Sequence, residues 1–375
     1  MKRLLAAVLS LTLLFTFPCK AVASEAMETQ AEAFVVYCVE NGSVVLSGNE
    51  NKRMKPASTT KLMTTLLTLE EAAKNDRVIT FTKEMIAEGS SMYLEVGEQL
   101  RLSDLAAGMM MCSGNDAANA AAVSLAGSAR KFAALMNARA EQLGMAHTHF
   151  VTPSGLDDEA HFTTAYDLAL LMAAGLRNKA FAQLTSQKSA TVRFARPADK
   201  TVTYNNHNRL LRLCEGCIGG KTGYTTAAGR CLVSAARRGG ITLICVTLND
   251  RDDWNDHIAL YDSGFARLER YQSSDSGVRL QLPCTGGENS TLTVRGARDV
   301  SLVVEKGQSD AIERKILAEP FAYAPVKAGD VLGRIAYSLD GRLLDCVELV
   351  AAEDAAARKV KKNLFQIIKE FFTYG

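Results

Sequence analysis

The spacing of apolar residues changes along the chain, so the sequence predicts both helices and strands in its first two thirds. Alternating or continuous apolar runs predict strands at 33–38, 43–47, 218–224, 231–236 and 241–246. Apolar residues at helical spacing predict helices at 105–111, 117–126, 131–144, 164–174 and 254–268. Asn41-Gly42 predicts a hairpin between the first two strands. The expected fold is therefore α/β (α+β), with an antiparallel sheet and a cluster of helices.

The pattern changes after residue 273 to short alternating strands. These strands are predicted at 278–282, 291–294, 300–304, 331–338 and 343–350. Asp340-Gly341 predicts a hairpin between the last two. Residues 273–351 therefore read as a small all-β domain, and they contain no cluster of residues typical of catalysis.

Residues 353–375 have a different pattern, because apolar residues recur on one helical face and basic residues lie mostly opposite. This arrangement predicts an amphipathic helix that lies at a membrane–water boundary and is too short and too charged to span the bilayer. The alternative is a terminal helix that packs on the protein or on a partner.

The beginning of the chain is typical of an exported protein. Lys2 and Arg3 precede an apolar run from Leu4 to Phe17, and Ala21-Val22-Ala23 has the small residues typical of a signal-peptide cleavage site. We therefore predict a signal peptide at 1–23 and a location at the outer face of the cytoplasmic membrane or in the cell-wall space. The remainder of the 375 residues divides into a larger first domain at 30–270, the β-rich domain and the terminal helix.

Charge and cysteine content narrow the classes of function. The formal net charge of +2 gives no support for nucleic acid as a partner. Cys214 and Cys217 form the only close cysteine pair, and no second pair follows at the spacing of zinc ligands, which argues against a metal site. A local disulfide and two free thiols both remain possible for this pair.

Ser58 and Lys61 are the first candidate catalytic residues. Pro56 precedes them and apolar residues follow at helical spacing, so Ser58 is predicted in the first turn of a helix with Lys61 three residues later on the same face. A desolvated neutral lysine can remove the proton of a serine hydroxyl and so make it a nucleophile. The simpler interpretation is a helix-capping serine followed by a solvated lysine, because Ser128 and Lys131 repeat the spacing.

Two further motifs follow in the sequence. Ser113-Gly114-Asn115 lies on a turn between two buried helices, where polar side chains need partners, although Asn115 or Asp116 would also suit a helix cap. Lys221-Thr222-Gly223 ends a predicted strand and precedes Tyr224. Such a strand edge can accept an extended ligand, bind a carboxylate and direct a backbone N–H at an oxyanion, or it can be an ordinary edge strand with a solvated lysine.

The three motifs in this order resemble those of the serine acyl-transferases that react with penicillin, namely low-molecular-mass penicillin-binding proteins and class A β-lactamases. More narrowly, the chain resembles the D-alanyl-D-alanine carboxypeptidases of peptidoglycan maturation. The closer resemblance rests on segments 55–61, 113–117, 164–167, 206–211 and 220–225. It implies a β-lactamase/transpeptidase-like catalytic domain, followed by a β-rich domain.

The resemblance also implies a role for each motif residue. Ser58 would be the acylated nucleophile, Lys61 its general base, and Ser113 a proton relay toward the leaving amine. Asn115 would hold both the substrate amide and Lys61.

The remaining implied roles concern substrate binding. Lys221 would lower the pKa of Lys61, Thr222 would bind the terminal carboxylate, and Gly223 would allow the close approach of substrate. The backbone N–H groups of Ser58 and Tyr224 would form the oxyanion hole. The family implies no metal or organic cofactor.

The predicted reaction is removal of the terminal D-alanine from peptidoglycan stem peptides, with β-lactam antibiotics as acylating inhibitors. A β-lactamase is the first alternative, but Glu141 and Glu159 are the only glutamates between Ser113 and residue 191, and neither has an asparagine at the spacing of the class A deacylating base. A penicillin-binding sensor or scaffold without turnover is the second. Some relatives carry an arginine at the position of His207, which we interpret as part of a polar wall. Relatives often place a carboxylate-binding arginine beyond the strand hairpin, and Arg251 lies near that position without a fixed alignment, so neither residue is included in the predicted site.

Overall fold

The structure is a computed structural model and describes residues 28–359. The predicted signal peptide and residues 360–375 of the predicted terminal helix lie outside the described residues. The helices are α1 (Lys61–Ala72), α2 (Leu102–Met111), α3 (Asn115–Ala126), α4 (Ala129–Gln142), α5 (Ala165–Arg177), α6 (Lys179–Thr185), α7 (Leu210–Leu213) and α8 (Asp253–Ala266). The strands of the first domain are β1 (Ala33–Cys38), β2 (Val44–Gly48), β3 (Val78–Thr80), β4 (Gln99–Arg101), β5 (Ser189–Arg193), β6 (Thr201–Asn205), β7 (Cys217–Thr225), β8 (Gly229–Arg238) and β9 (Ile241–Leu248).

A five-stranded antiparallel sheet forms the centre of the first domain, with the strand order β2-β1-β9-β8-β7. The predicted hairpin around Asn41-Gly42 is present, and β1 also pairs with β9 from Ala33 opposite Leu248 to Cys38 opposite Leu243. Every residue of β9 is buried, as expected for a central strand whose sequence is almost entirely apolar. At the other side of the sheet β7 pairs only with β8, so its outer edge faces the helical cluster.

The helical cluster packs against one face of this sheet and buries α2 almost completely. Gly108 lets Met92 lie against α2, because a Cβ atom at Gly108 would stand 2.0 Å from the Met92 sulfur. The neighbouring α3 consists mainly of small residues, so its buried face can approach α2 closely. This packing fixes the Cys112–Gly114 turn that joins the two helices.

The second domain is all-β, as predicted. Its strands are β10 (Leu268–Ser273), β11 (Leu280–Thr285), β12 (Thr291–Gly296), β13 (Val300–Glu305), β14 (Glu313–Ala318), β15 (Ala322–Tyr323), β16 (Val331–Leu339) and β17 (Arg342–Ala351). Six of them form a sheet with the order β14-β16-β17-β12-β11-β15, and β10 pairs with β13. The buried Asp275 carboxylate accepts hydrogen bonds from the Tyr337 hydroxyl at 2.5 Å and from the Arg314 guanidinium at 2.8 Å, which ties three parts of this domain together.

The chain after β17 differs from the predicted helix at 353–375 over the part that the structure describes. Residues 353–359 form no helix, and Ala355 bridges Val326 while Ala357 bridges Gly287. Burial of Ala355 in the small core of the second domain outweighs the helical propensity of this alanine-rich stretch. Among the helices of residues 28–359, none combines the length and apolarity needed to cross a membrane.

The cysteines of the described residues are all free thiols, so the structure has no disulfide between Cys214 and Cys217. Burial raises the pKa of the Cys217 thiol to about 11, which keeps it protonated and unreactive near neutral pH.

Candidate active site

Ser58 lies in a short 3-10 helix, Ala57–Thr60, which leads directly into α1. The turn is held from within, because Thr59 donates to the Pro56 carbonyl through both its backbone N–H and its hydroxyl, the latter at 2.7 Å. Ala57 has a φ of +49°, a left-handed conformation that is unfavourable for a residue with a side chain. This strained residue directs the half-buried Ser58 hydroxyl toward the interior of the domain.

The Lys61 amine is completely buried and contacts three oxygen atoms. It lies 2.9 Å from the Ser58 hydroxyl, 2.6 Å from the Asn115 side-chain oxygen and 2.7 Å from the Ser154 carbonyl. The last two atoms can only accept hydrogen bonds, whereas a hydroxyl can also donate. A neutral amine therefore gives its two N–H groups to Asn115 and Ser154 and turns its lone pair toward the Ser58 proton.

Burial favours that neutral form. Loss of hydration lowers the pKa of Lys61 well below its ordinary value, and the positive charge of Lys221 lowers it further. Burial also lowers the pKa of Lys221, to about 7. Burial thus favours the neutral form of both lysines, and the charge of the neighbouring lysine adds to this effect at Lys61.

Ser113 and Asn115 occupy the turn between α2 and α3. Ser113 has a φ of +60°, and its hydroxyl lies 3.1 Å from the Lys221 amine. The orientation of the Asn115 amide is determined by its two partners, since its nitrogen donates to the Glu88 carbonyl at 2.6 Å and leaves its oxygen for Lys61. The backbone N–H of Asn115 donates to the Ser90 carbonyl at 2.7 Å, so one loop holds both the backbone and the side-chain amide of this residue.

That loop, residues 88–94, is attached to α3 by the buried carboxylate of Asp116. One oxygen accepts the backbone N–H of Met92 at 2.9 Å and that of Ala117 at 2.8 Å. The other accepts the Ser91 hydroxyl at 2.6 Å and the backbone N–H of Leu94 at 3.1 Å. Asp116 therefore positions the carbonyl groups that orient Asn115.

Lys221, Thr222, Gly223 and Tyr224 follow one another on the edge strand β7. The Thr185 hydroxyl of α6 accepts the N–H of Gly220 at 2.8 Å, so the backbone of Gly220 points away from β8. Backbone groups alternate along a strand, and the N–H groups of Thr222 and Tyr224 consequently point to the same free edge.

Gly223 is the point where β7 contacts the short helix Ala57–Thr60, which we call the serine turn. A Cβ atom at this position would stand 3.0 Å from the backbone nitrogens of both Ser58 and Thr59, so the absence of a side chain lets the two backbones approach. The backbone nitrogen of Ser58 therefore lies against Gly223, the residue before Tyr224 with its outward N–H. The Tyr224 side chain is exposed.

The Ser154 carbonyl belongs to the loop 152–158, whose position depends on His161. The Nδ1 atom of His161 accepts the backbone N–H groups of Val151 and Thr152, so Nε2 carries the proton and donates to the Thr60 hydroxyl at 3.0 Å. Burial lowers the pKa of His161 to about 4, and the ring is therefore neutral near pH 7. This histidine links the loop that holds Lys61 to the turn that carries Ser58.

All the residues that the sequence predicted for the site are close together in the structure. Hydrogen bonds join Ser58, Lys61 and Asn115 in one chain and Ser113 with Lys221 in another. The sequence did not predict the backbone carbonyls of Glu88 and Ser154 as part of the site. It also did not predict that Asp116 holds the loop 88–94 or that His161 holds the loop 152–158. The only sequence signal of these residues was proximity to a motif, because a backbone carbonyl gives no residue-specific pattern.

Comparisons with known proteins agree with this geometry over both domains. Residues 20–252 match the family described as D-alanyl-D-alanine carboxypeptidase, and residues 275–357 match the family described as penicillin-binding protein 5, C-terminal domain. The chain is 29% identical to the D-alanyl-D-alanine carboxypeptidase DacF of Bacillus subtilis over 372 residues, covering 94% of this chain and 95% of that protein. It is 32% identical to DacC of Escherichia coli over 368 residues, covering 91% and 89% respectively. Among solved structures, penicillin binding protein 5 from Haemophilus influenzae is similar with a TM-score of 0.67 and 26% identity, covering 88% of this chain and 99% of that one.

Proposed function

The chain belongs to the D-alanyl-D-alanine carboxypeptidase family, and on that premise we propose that Ser58 is its nucleophile and Lys61 the general base. The protein is a serine-type D-Ala-D-Ala carboxypeptidase. The observation that supports the residue assignment best is the contact of 2.9 Å between the Ser58 hydroxyl and a buried amine whose other two neighbours are carbonyl oxygens.

The first half-reaction transfers the acyl group to Ser58. Lys61 takes the hydroxyl proton while the oxygen attacks the carbonyl carbon of the penultimate D-alanine. The resulting oxyanion is stabilised by the backbone N–H groups of Ser58 and Tyr224, and one such donor typically contributes about 2.7–4 kcal/mol to lowering the barrier. When the C–N bond breaks, the proton that Lys61 took from Ser58 passes through the Ser113 hydroxyl to the leaving amine of the terminal D-alanine, and Lys61 is neutral again. Lys221 holds the Ser113 hydroxyl at 3.1 Å.

The second half-reaction returns the enzyme to its starting state. Water attacks the ester carbonyl, Lys61 removes a proton from that water, and the Ser58 oxygen leaves with a proton as the hydroxyl. The shortened peptide then departs with a new terminal carboxylate.

Substrate recognition follows from the free edge of β7. The stem peptide would lie along this edge as an additional strand, which supplies backbone hydrogen bonds without regard to side chains. Its terminal carboxylate would meet the Thr222 hydroxyl and the positive potential of Lys221, while Asn115 would hold the substrate amide. Gly223 would keep the edge open beside Ser58. We further propose that the substrate is the stem pentapeptide of peptidoglycan and that β-lactams acylate the same serine.

The location of the protein follows from its ends. We propose that cleavage after Ala23 releases an exported enzyme and that residues 360–375 attach it to the outer face of the cytoplasmic membrane. This segment carries Lys361, Lys362 and Lys369 among apolar residues such as Leu364 and Phe371. Each basic residue near anionic lipid contributes about 1 kcal/mol to binding.

Labelling with a fluorescent penicillin tests the nucleophile in the chain from residue 24 to 375. Ser58→Ala should abolish covalent labelling and the release of D-alanine from a Lys-D-Ala-D-Ala peptide. Ser128→Ala is the matched control, because Ser128 and Lys131 have the same spacing but form a helix cap. Labelling of Ser58→Ala at the parent rate would refute the assignment. Rapid penicillin hydrolysis by the parent would favour a β-lactamase, and labelling without release of D-alanine would favour a sensor.

A further inference from the structure

Two aromatic side chains project from one corner of the second domain. Phe321 and Tyr323 are 41% and 70% exposed, and their rings meet edge to face with centroids 5.0 Å apart. Ala322 between them is buried in a small core with Cys284 and Ala355. Because side chains alternate along an extended chain, the two rings share the face that points away from this core. We call Phe321 and Tyr323 the aromatic corner.

Further exposed apolar residues lie where the chain leads into the corner. Glu319, two residues before Phe321, donates its N–H to the Leu332 carbonyl at 2.9 Å and so joins the end of β14 to the start of β16. Leu317 and Val331, on either side of that contact, are both exposed. A soluble protein seldom groups exposed large apolar residues without a partner for them.

The described chain ends beside this corner. Tyr323 of β15 pairs with Thr285 of β11, and the next residue, Gly286, accepts the backbone N–H of Arg358 at 2.8 Å. Neighbouring strands lie about 4.8 Å apart, so Arg358 lies within about two strand spacings of Tyr323. The last described residues are therefore close to the aromatic corner.

The charges at this end also suit an anionic surface. Arg358 and Lys359 are exposed, and residues 360–375 add three lysines and one glutamate. The acidic residues near this end are Glu288, Glu319, Glu353 and Asp354, all exposed, and Asp354 accepts the N–H of Ala328 at 2.7 Å. From Arg358 to the end of the sequence there are five basic residues and one glutamate, so the positive charge is concentrated after the last acidic residues of the domain.

We propose that the aromatic corner is a second lipid contact, which inserts into the interface of an anionic membrane beside the attached terminal segment. This inference rests on the proposed membrane attachment. Tyrosine suits the interface because its ring is apolar and its hydroxyl remains hydrated. Two contacts on one rigid domain restrict its rotation on the membrane, whereas a terminal segment alone would leave it free to tumble.

A single-site probe tests the contact directly. Tyr323→Trp, in the chain from residue 24 to 375, is mixed with phosphatidylglycerol vesicles that contain brominated lipid. The parent protein has one tryptophan, Trp254, in α8 of the first domain, and its emission provides the baseline. We expect quenching of the variant well beyond that of the parent. Quenching equal to the parent would overturn the proposal, as would blue-shifted emission without vesicles, which would mean that the terminal segment or a second copy covers the corner.

A binding comparison measures the size of the effect. Phe321→Ser with Tyr323→Ser should weaken vesicle partitioning by about tenfold, because less apolar area leaves water. Leu343→Ser, an equally exposed apolar residue on the hairpin between β16 and β17, is the control and should bind as the parent does. Penicillin labelling checks that each variant is folded. Equal partitioning of the double variant and the control would refute the contact.

Removal of residues 360–375 separates this inference from the proposed attachment. If the shortened chain binds vesicles as tightly as the parent, the terminal segment is not the anchor and the proposed attachment fails. If binding is lost but Tyr323→Trp in the full chain remains unquenched, the attachment stands and only the aromatic corner fails.

Discussion

Gly155 offers a strict test of how tightly the loop 152–158 fits against the serine turn. Its φ is +86°, and a Cβ atom there would stand 1.8 Å from the Ala57 carbonyl oxygen and 2.8 Å from the Thr60 hydroxyl. The residue before it supplies the carbonyl that holds Lys61. Gly155→Ala should therefore disturb the nucleophile and its base together.

The magnitude follows from two separate costs. An alanine in the left-handed region costs roughly 1–2 kcal/mol wherever it occurs. Gly144, with a φ of +76° and no atom within 4 Å of its hypothetical Cβ, isolates this first cost. At Gly155 the loop must also move by more than about 1 Å to restore a normal contact of roughly 3.5 Å. A misplacement of about 1 Å at catalytic groups typically reduces the rate by about 100-fold.

The assay is the second-order rate of acylation by a fluorescent penicillin, measured beside urea unfolding for both variants. Gly144→Ala should lose stability and keep the parent rate, because the altered turn lies outside the site. Gly155→Ala should lose more stability and about two orders of magnitude in acylation rate. Equal acylation rates for the two folded variants would refute the claim that this contact positions Ser58.

Two further results are expected. Asp116→Asn keeps the size of the side chain but sets an NH₂ group against the N–H of Leu94 or Met92. The substitution should therefore cost about 1–3 kcal/mol of unfolding free energy and slow acylation, because it releases the loop 88–94. Unchanged urea unfolding and acylation would contradict the role of Asp116 in holding this loop. The pH dependence of kcat/KM should be bell-shaped. It rises as Lys61 loses its proton far below the ordinary lysine pKa of 10.5, and falls above the Lys221 pKa of about 7 as carboxylate binding weakens; a rate that still increases at alkaline pH would contradict these assignments.

The sequence was sufficient for the parts of the site whose chemistry resides in side chains. Ser58, Lys61 and Lys221 stood out because a nucleophile, a base and a second cation at defined spacings restrict the possible chemistry. The sheet was predictable for a related reason, since β9 and the middle of β8, from Cys231 to Ala236, are apolar or small and are buried in full.

The parts that could not be predicted depend on backbone atoms and on short elements. The Glu88 and Ser154 carbonyls hold Asn115 and Lys61, yet any residue supplies a carbonyl. The helix α6 is too short to show a period, although its Thr185 fixes Gly220. The strand β14 is exposed along most of its length and so lacks a strand-like alternation. The predicted helix does not begin at residue 353, because burial of Ala355 in the core of the second domain favours a bridge there, and local propensity carries no information about that burial.

The pairing of β1 with β9 has a consequence for the order in which activity arises during synthesis. The segment with Ser58 is made long before β7, which carries Lys221, and before β9, which pairs with β1. Until residue 248 has emerged, the β1–β2 hairpin lacks its partner β9 and the complete sheet cannot hold Lys221 beside Lys61. A growing chain is therefore expected to be insensitive to β-lactams, and reactivity toward them should appear late and all at once.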